Sequence, residues 1–247
     1  MNKQMLGVLI VIAILVIGFA FYRFKGVGES VDEMVVDVET IEEISLVDGD
    51  YQIDLALSMV NWEGKKTLIA NYIDEGTISI KEGDLQVSGG KISSGDFVID
   101  MNTIKAGSTS NTKATVDMLE KHLKSDDFFG VEKFPTAKFT IKDVNMIGGE
   151  YIASGELTIK DITNQIEFPI TINQEGEGSV TVVGGAVLDR TKWDIRYGSD
   201  KFFDNLANNV IDDNFTVKFD IKFKNISPKS EIEDQTATTT ASTTVSQ

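Results

Sequence analysis

The feature that most constrains this chain is a strict two-residue alternation. In NFTVKFDIKF (214–223), Phe215, Val217, Phe219, Ile221 and Phe223 take one side, and Thr216, Lys218, Asp220 and Lys222 the other. Successive strand side chains point to opposite faces, so the segment suits a sheet with one dry and one wet face and does not suit a helix. The period returns in YQIDLAL (51–57), in DFVIDMNTI (96–104), where Phe97, Ile99 and Met101 share a face, and in AKFTIKDV (137–144). EYIASGELTIKDI (150–162) follows NMIGG, a hairpin signal, and carries Leu157 on its apolar side. QIEFPITI aligns Ile166, Phe168, Ile170 and Ile172, with Pro169 pointing to an edge or a bulge. GTISIKEGDLQV reads as two short strands around the turn KEGD, and Gly184-Gly185 in GSVTVVGGAVLDR as a sharp bend.

About eight such strands predict an all-β, antiparallel barrel or sandwich. One helix interrupts them: in TKATVDMLEKHLKS, Val116, Leu119 and Leu123 form an i, i+3, i+7 stripe. A second short helix is expected at KFFDNLANN (201–209). An eight-strand barrel is the size at which side chains just fill the interior or leave room for one ligand.

That makes KHLKSDDFFGVEKFPTAKF (121–139) the informative loop. Loops are normally polar, yet this one holds Phe128, Phe129 and Phe134 before Phe139 of the next strand. Such aromatics either plug the end of a core or line a cavity holding something apolar. Both readings stand at this level.

Outside the strands, MNKQMLGVLIVIAILVIGFAFYRFK is uncharged and apolar from Met5 to Tyr22, about long enough to cross a bilayer as a helix. It is long for a signal peptide, and Phe21, Tyr22 and Phe24 run past the nearest cleavage candidate at Ala20. A single-pass transmembrane signal-anchor at 1–25 is favoured, the alternative being a cleaved signal and a secreted or periplasmic domain. Residues 26–48 are dense in Asp and Glu and read as an acidic spacer, 49–226 as the barrel domain, and 227–247 as a disordered Thr/Ser-rich tail.

Charge and composition exclude several functions. With 39 acids against 23 bases and a net charge of −16, nucleic acid is not an expected partner. There are no cysteines and one histidine, His122, so neither a thiolate site nor a multi-histidine metal site can form. Asp126 and Asp127 are adjacent in a loop without a base or nucleophile, which suits a turn better than acid–base chemistry. Gly89-Gly90-Lys91 lacks the first glycine and the Ser or Thr of a phosphate loop and reads as a turn. No catalytic motif is present, and no enzyme activity is expected.

HLKSDDFFGVEKFPTAKF followed by GELTIKDITNQIEFPITI resembles the YceI-like family of polyisoprenoid-binding proteins. DFVIDMNTI and SMVNWEGKK upstream, and AVLDRTKWDIRYGS with FFDNL downstream, share the likeness, which runs from about Tyr51 to Phe223. The resemblance implies a lipocalin-like barrel outside the cytoplasm whose interior holds an isoprenoid lipid, a quinone or a polyprenyl phosphate. It further implies that Phe97, Ile99, Met101, Leu119, Leu123, Phe128, Phe129, Phe134, Phe139, Leu157, Phe168, Trp193 and Phe219 contact the lipid. His122, Arg190 and Arg196 are the headgroup candidates. Two departures from the family pattern bear on the headgroup. An Arg-Asp pair before the His-Leu element is replaced by Leu119 and Glu120, and the histidines before Gly76-Thr77-Ile78 are missing.

The expected function is therefore a membrane-tethered, extracytoplasmic, non-enzymatic lipid carrier, with no cofactor beyond a bound isoprenoid such as a quinone. Its partners would be that lipid and, through the N-terminal helix, the membrane; no protein partner is identified. The alternative is a structural or stress-related interaction module whose barrel is filled by its own side chains.

Overall fold

A computed structural model describes residues 44–176 and 178–227. The anchor at 1–25, the spacer as far as 43 and the tail from 228 onward lie outside the described residues, among which no helix is long and apolar enough to cross a membrane. The chain forms β1 (Gly49–Ile53), β2 (Met59–Lys65), β3 (Ile73–Ser88), β4 (Lys91–Thr109), α1 (Val116–Lys124), β5 (Thr136–Ile147), β6 (Glu150–Ile159), β7 (Ile162–Glu175), β8 (Ser179–Asp189) and β9 (Asn214–Asn225).

From β3 to β9 each strand pairs antiparallel with the next, and the sheet closes through β1 and β2. These two strands share one position in the wall. β2 pairs with Ile73–Ile78 of β3 and Thr216–Asp220 of β9, while β1 pairs with Asp84–Val87 and Phe223–Asn225 of the same strands. Nine strands thus make an eight-position barrel. The break between β1 and β2 corrects the reading of 51–57 as one strand. Asp54 accepts from the Ala56 amide through its side chain and from the Leu57 amide through its carbonyl, a turn that leaves Leu55 and Leu57 exposed.

The predicted turn KEGD does not form. Residues 73–88 are one strand, and the odd residue at 81–82 is absorbed by a register shift against β4 that keeps Ile80 and Gly83 on the same side. Gly184-Gly185 likewise lies inside continuous β8. Pro169 is interior to β7, at the point where its pairing with β8 ends: the ladder runs from Ile170↔Gly184 downward. Above it the two strands diverge, and a 3-10 turn at Arg190–Trp193 fills the gap. The second predicted helix is only a 3-10 turn, Ala207–Asn209.

One end of the barrel is sealed. Tyr51, Val180 and Phe223 are almost fully buried there, and Leu46 packs on the same core. Residues 44–48, assigned to the spacer by sequence, are tied to this end. The Leu46 amide donates to Gly90 O, the Val47 amide to Gln174, and Asp48 accepts from the Gly89 and Gly90 amides. Gly89 and Gly90 both have positive φ, as the turn joining β3 to β4 requires. At the other end, β4 overshoots β5, and α1 with the loop to Pro135 lies against it. Thr115 caps α1 by accepting from the Met118 amide.

Replacing Phe223 by Ala at the sealed end is expected to cost roughly 3–5 kcal/mol. Val187→Ser, on an outward position 70% exposed, should stay within about 0.5 kcal/mol. Urea denaturation midpoints check both.

Candidate ligand cavity

The inward residues of the barrel do not meet in the middle. They surround a cavity of about 890 Å³, near the top of the ~300–1,000 Å³ range of ligand pockets. A barrel filled by its own side chains, the alternative above, does not describe this interior. The reason lies in inward-facing glycines. Gly76, Gly83 and Gly184 sit directly opposite Trp62, Phe97 and Phe219 across the ladders. Each of those rings lies against its glycine: a Cβ there would come within 2.6–2.7 Å of Trp62, Phe97 or Phe219. Phe139 lies over Gly155 in the same way, at 2.7 Å. Large rings therefore flatten on the wall instead of crossing the lumen, and all four line the cavity.

These rings belong to a belt. Phe223 meets Phe97 edge-on at 6.0 Å; Phe97 stacks on Phe139 at 6.3 Å; Phe168 lies 5.5 Å from Phe139 and 5.7 Å from Phe219. Aliphatic residues fill the levels above and below: Ile78, Ile99, Met101, Leu157 and Val217 among them. Ala137, Ala153 and Ala186 also face the space and keep it wide.

Of the residues singled out from sequence, Phe97, Ile99, Met101, Leu119, Leu123, Phe128, Phe129, Phe139, Leu157, Phe168 and Phe219 line this one cavity. Leu119 and Leu123 reach it from α1. Phe128 and Phe129 hang into it from a loop whose backbone is internally bonded, with the Phe129 amide donating to Leu123 O and the Gly130 amide to Ser125 O. Because that backbone is satisfied, the side chains are free to face hydrocarbon.

Two apolar expectations need correction. Phe134 does not reach the cavity: it is half-buried and packs on the turn at Gly130, whose φ is +55° and whose own Cβ would sit 3.4 Å from the ring. Trp193, 1% exposed, plugs the gap between the diverging ends of β7 and β8 and donates Nε1–H to Leu157 O at 3.1 Å. It belongs to the wall.

The headgroup candidates separate. His122 is at the open end, its ring 4.5 Å from Tyr197 and 4.9 Å from Phe128, with Asp127 at 3.6 Å. Arg190 borders the cavity but has no donor to spare. Nε donates to Asp212 O, Nη1 to Ile195 O and Tyr197 O, and Nη2 to Ile211 O and Asp213 Oδ1. A guanidinium has five N–H groups, and all are engaged. Burial pulls its pKa down against the opposing charges of Asp213, Asp189 and Asp212, but an arginine remains charged. Arg190 is a clamp on the β8–β9 connection and is not a headgroup ligand. Arg196 is exposed, paired with Asp194 at 2.6 Å and stacked over Phe202, and does not border the cavity.

The structure brings forward mouth residues that the sequence reading passed over. Tyr72, 9% exposed, stands beside Asp74 with Lys66 Nζ 5.0 Å above its ring. Burial, then the charge of Asp74, pushes the phenol pKa up. Thr109 donates to Asp74 at 2.6 Å, and Asn111, Asn209, Asp212 and Asn214 complete the polar border. The Lys65-Lys66 doublet following Trp62 was the available signal. Among the described residues no group of three His, Asp or Glu is placed to hold a metal.

A closed antiparallel barrel with an apolar cavity open at one end is the architecture of the lipocalin-like binding barrels. The chain belongs to the YceI-like domain family, whose model matches residues 51–223. It is similar to BcnA of Burkholderia cenocepacia, 23% identical with a TM-score of 0.54 over 69% of this chain and 98% of that one. A polyisoprenoid binding domain from Saccharophagus degradans, implicated in plant cell wall breakdown, gives the same TM-score at 14% identity over 71% of this chain and 98% of that one. At these identities the likeness concerns the fold. Among sequence relatives, UPF0312 protein plu2095 of Photorhabdus laumondii is 41% identical over 78 residues, 31% of this chain and 37% of that protein. UPF0312 protein SAB2563 of Staphylococcus aureus is 32% identical over 107 residues, 40% of this chain and 60% of the relative. The chain thus spans less than two thirds of these relatives' length.

Replacing Arg190 by Met would strand buried carbonyls and leave Asp213 with Lys201 alone, at an expected cost of roughly 3 kcal/mol or more in urea unfolding, set by the unsatisfied carbonyls. Asp189 gives a pH signature. Burial raises its pKa, but bonds from Thr191 and Lys201 outweigh that and hold it below the ordinary 3.8. A depressed folded-state pKa contributes stability above the ordinary value and loses it as pH falls through the folded one. Thermal midpoints should therefore drop as pH falls below about 4, and Asp189→Asn should make that drop shallower.

Proposed function

We propose that this chain is a non-enzymatic carrier that holds one isoprenoid lipid with its tail in the barrel and its headgroup at the open end. The observation that carries the reading is the apolar cavity of about 890 Å³, kept open by rings lying on glycines. Membership of the YceI-like family and the polyisoprenoid-binding description of the S. degradans neighbour support it. The energetics agree. Each buried CH₂ yields about 0.8 kcal/mol, so a prenyl tail supplies far more binding energy than the ~0.5–1.5 kcal/mol of a neutral hydrogen bond. The tail sets affinity and the mouth selects the headgroup.

A neutral, quinone-like headgroup suits the mouth better than a diphosphate. Arg190 has its donors engaged, Arg196 faces outward, Lys65 pairs with Glu63 at 2.9 Å, and Lys66, over the Tyr72 ring, adds one cation beside Asp74. Asp74 and Asp212 border the opening and disfavour a multiply charged anion. The apolar N-terminal segment would hold the barrel at the membrane on its outer side, with the acidic spacer giving it reach.

The full chain, purified in mild detergent, should yield a prenylated lipid on organic extraction and mass spectrometry. Ala153→Phe combined with Ala186→Phe, both facing the cavity, should abolish the lipid while the protein still unfolds cooperatively. A chain with no extractable prenyl lipid that also fails to take up added quinone or polyprenol contradicts the proposal.

A further inference from the structure

The cavity opens between three connections: β2–β3, the β4–β5 segment with α1, and β8–β9. Each of them presents large apolar side chains to solvent. Leu68 is 59% exposed on the first, Met118 58% on the second, and Phe203 50% and Phe202 44% on the third. Tyr197, 44% exposed, both borders the cavity and shows a face outside. Exposed aromatics grouped around an opening call for a partner, because leaving them in water forgoes their burial.

Charge is distributed to match. Segments 65–74, 110–135, 160–161 and 189–213, which build the open end, carry eleven Lys or Arg and thirteen Asp or Glu, in a chain of net charge −16. The open end is therefore close to balanced in charge, with Lys66, Lys121 and Lys192 close to the apolar side chains in sequence. The sealed end also shows apolar tips, Ile147, Ile226, Ile44 and Val47. Those are aliphatic residues without an aromatic among them, near Asp48, Asp50, Asp84, Glu150 and Glu175, which outnumber Lys91 and Lys224 of the same end, a setting that repels an anionic bilayer. Aromatics mixed with basic residues are the composition of a surface that sits at the lipid–water interface.

We propose that the open end docks on a lipid bilayer, with Leu68, Phe202, Phe203 and Tyr197 entering the interfacial layer so that cargo passes between bilayer and cavity without crossing water. This rests on the carrier reading for its purpose, and a bilayer is preferred over a protein partner because the surface is continuous with a cavity that must exchange a water-insoluble molecule.

The absence of cysteine permits a direct test. Leu68→Cys, Phe203→Cys and, at the sealed end, Ile147→Cys are each made in the full chain, labelled with an NBD fluorophore and mixed with phosphatidylcholine–phosphatidylglycerol vesicles. The labels at 68 and 203 should shift to the blue and be quenched by spin-labelled lipid, and the label at 147 should do neither. Equal responses at both ends, or none at the open end, overturn the proposal; a response to added protein but not to vesicles overturns it too. Leu68→Asp with Phe203→Asp, neither of which borders the cavity, should keep the lipid content of the purified chain and slow transfer to vesicles by about tenfold or more through lost apolar contact. Unchanged transfer contradicts the docking surface. Absence of extractable lipid from the parent chain sinks the carrier reading instead, and leaves the label experiment to decide the surface alone.

Discussion

Aromatic rings lying on glycine backbone are the contact on which the rest of this structure depends. A barrel of eight positions has an interior narrow enough that a few phenylalanines pointing to its axis would fill it. Here Phe97, Phe139 and Phe219 turn aside onto Gly83, Gly155 and Gly184, and Trp62 onto Gly76. The rings still bury much of their area and shield the glycine backbone, so the wall keeps its cohesion while the axis stays free. A single substituent on one of these glycines must push a ring, or the facing carbonyl, inward.

The two ends divide the labour. The sealed end holds Tyr51, Val180 and Phe223 in tight packing, braced by the strap at 44–48. The open end is made of connections whose order comes from hydrogen bonds more than from burial. Arg190 draws together four backbone carbonyls and Asp213, and Lys201 bridges Asp189 and Asp213 at 3.2 and 2.9 Å. The rings of His122, Phe128 and Tyr197 then join the β8–β9 connection to α1. Such a mouth is held by a few strong contacts between loops, an arrangement suited to admitting a long flexible molecule.

The wall was legible in the sequence because its signal is local. The alternation at 214–223 places every apolar residue of β9 on the cavity side, as read, and the α1 stripe of Leu119 and Leu123 faces the same space. Where reading failed, a tertiary contact had overridden a local cue. KEGD looked like a turn until its pairing with β4 absorbed the extra residue. Trp193 looked like lining, but Pro169 marks where β7 leaves β8 and the indole fills the gap. Arg190 looked like a free cation because its acceptors are carbonyls 5–22 residues away and the Asp213 carboxylate 23 away. The glycine–ring pairs depend on strand register, which single-sequence periodicity does not contain. Tyr72 and Lys66 lie in a short connection with no periodicity at all.

Diffraction from crystals of the full chain, purified in mild detergent from the cells that make it, tests the central claim most directly. The account predicts continuous elongated density inside the barrel, passing Phe97, Phe139 and Phe219 with their rings flat on the wall. Rings lifted off their glycines and swung across the axis, leaving no room for a prenyl unit, would contradict it.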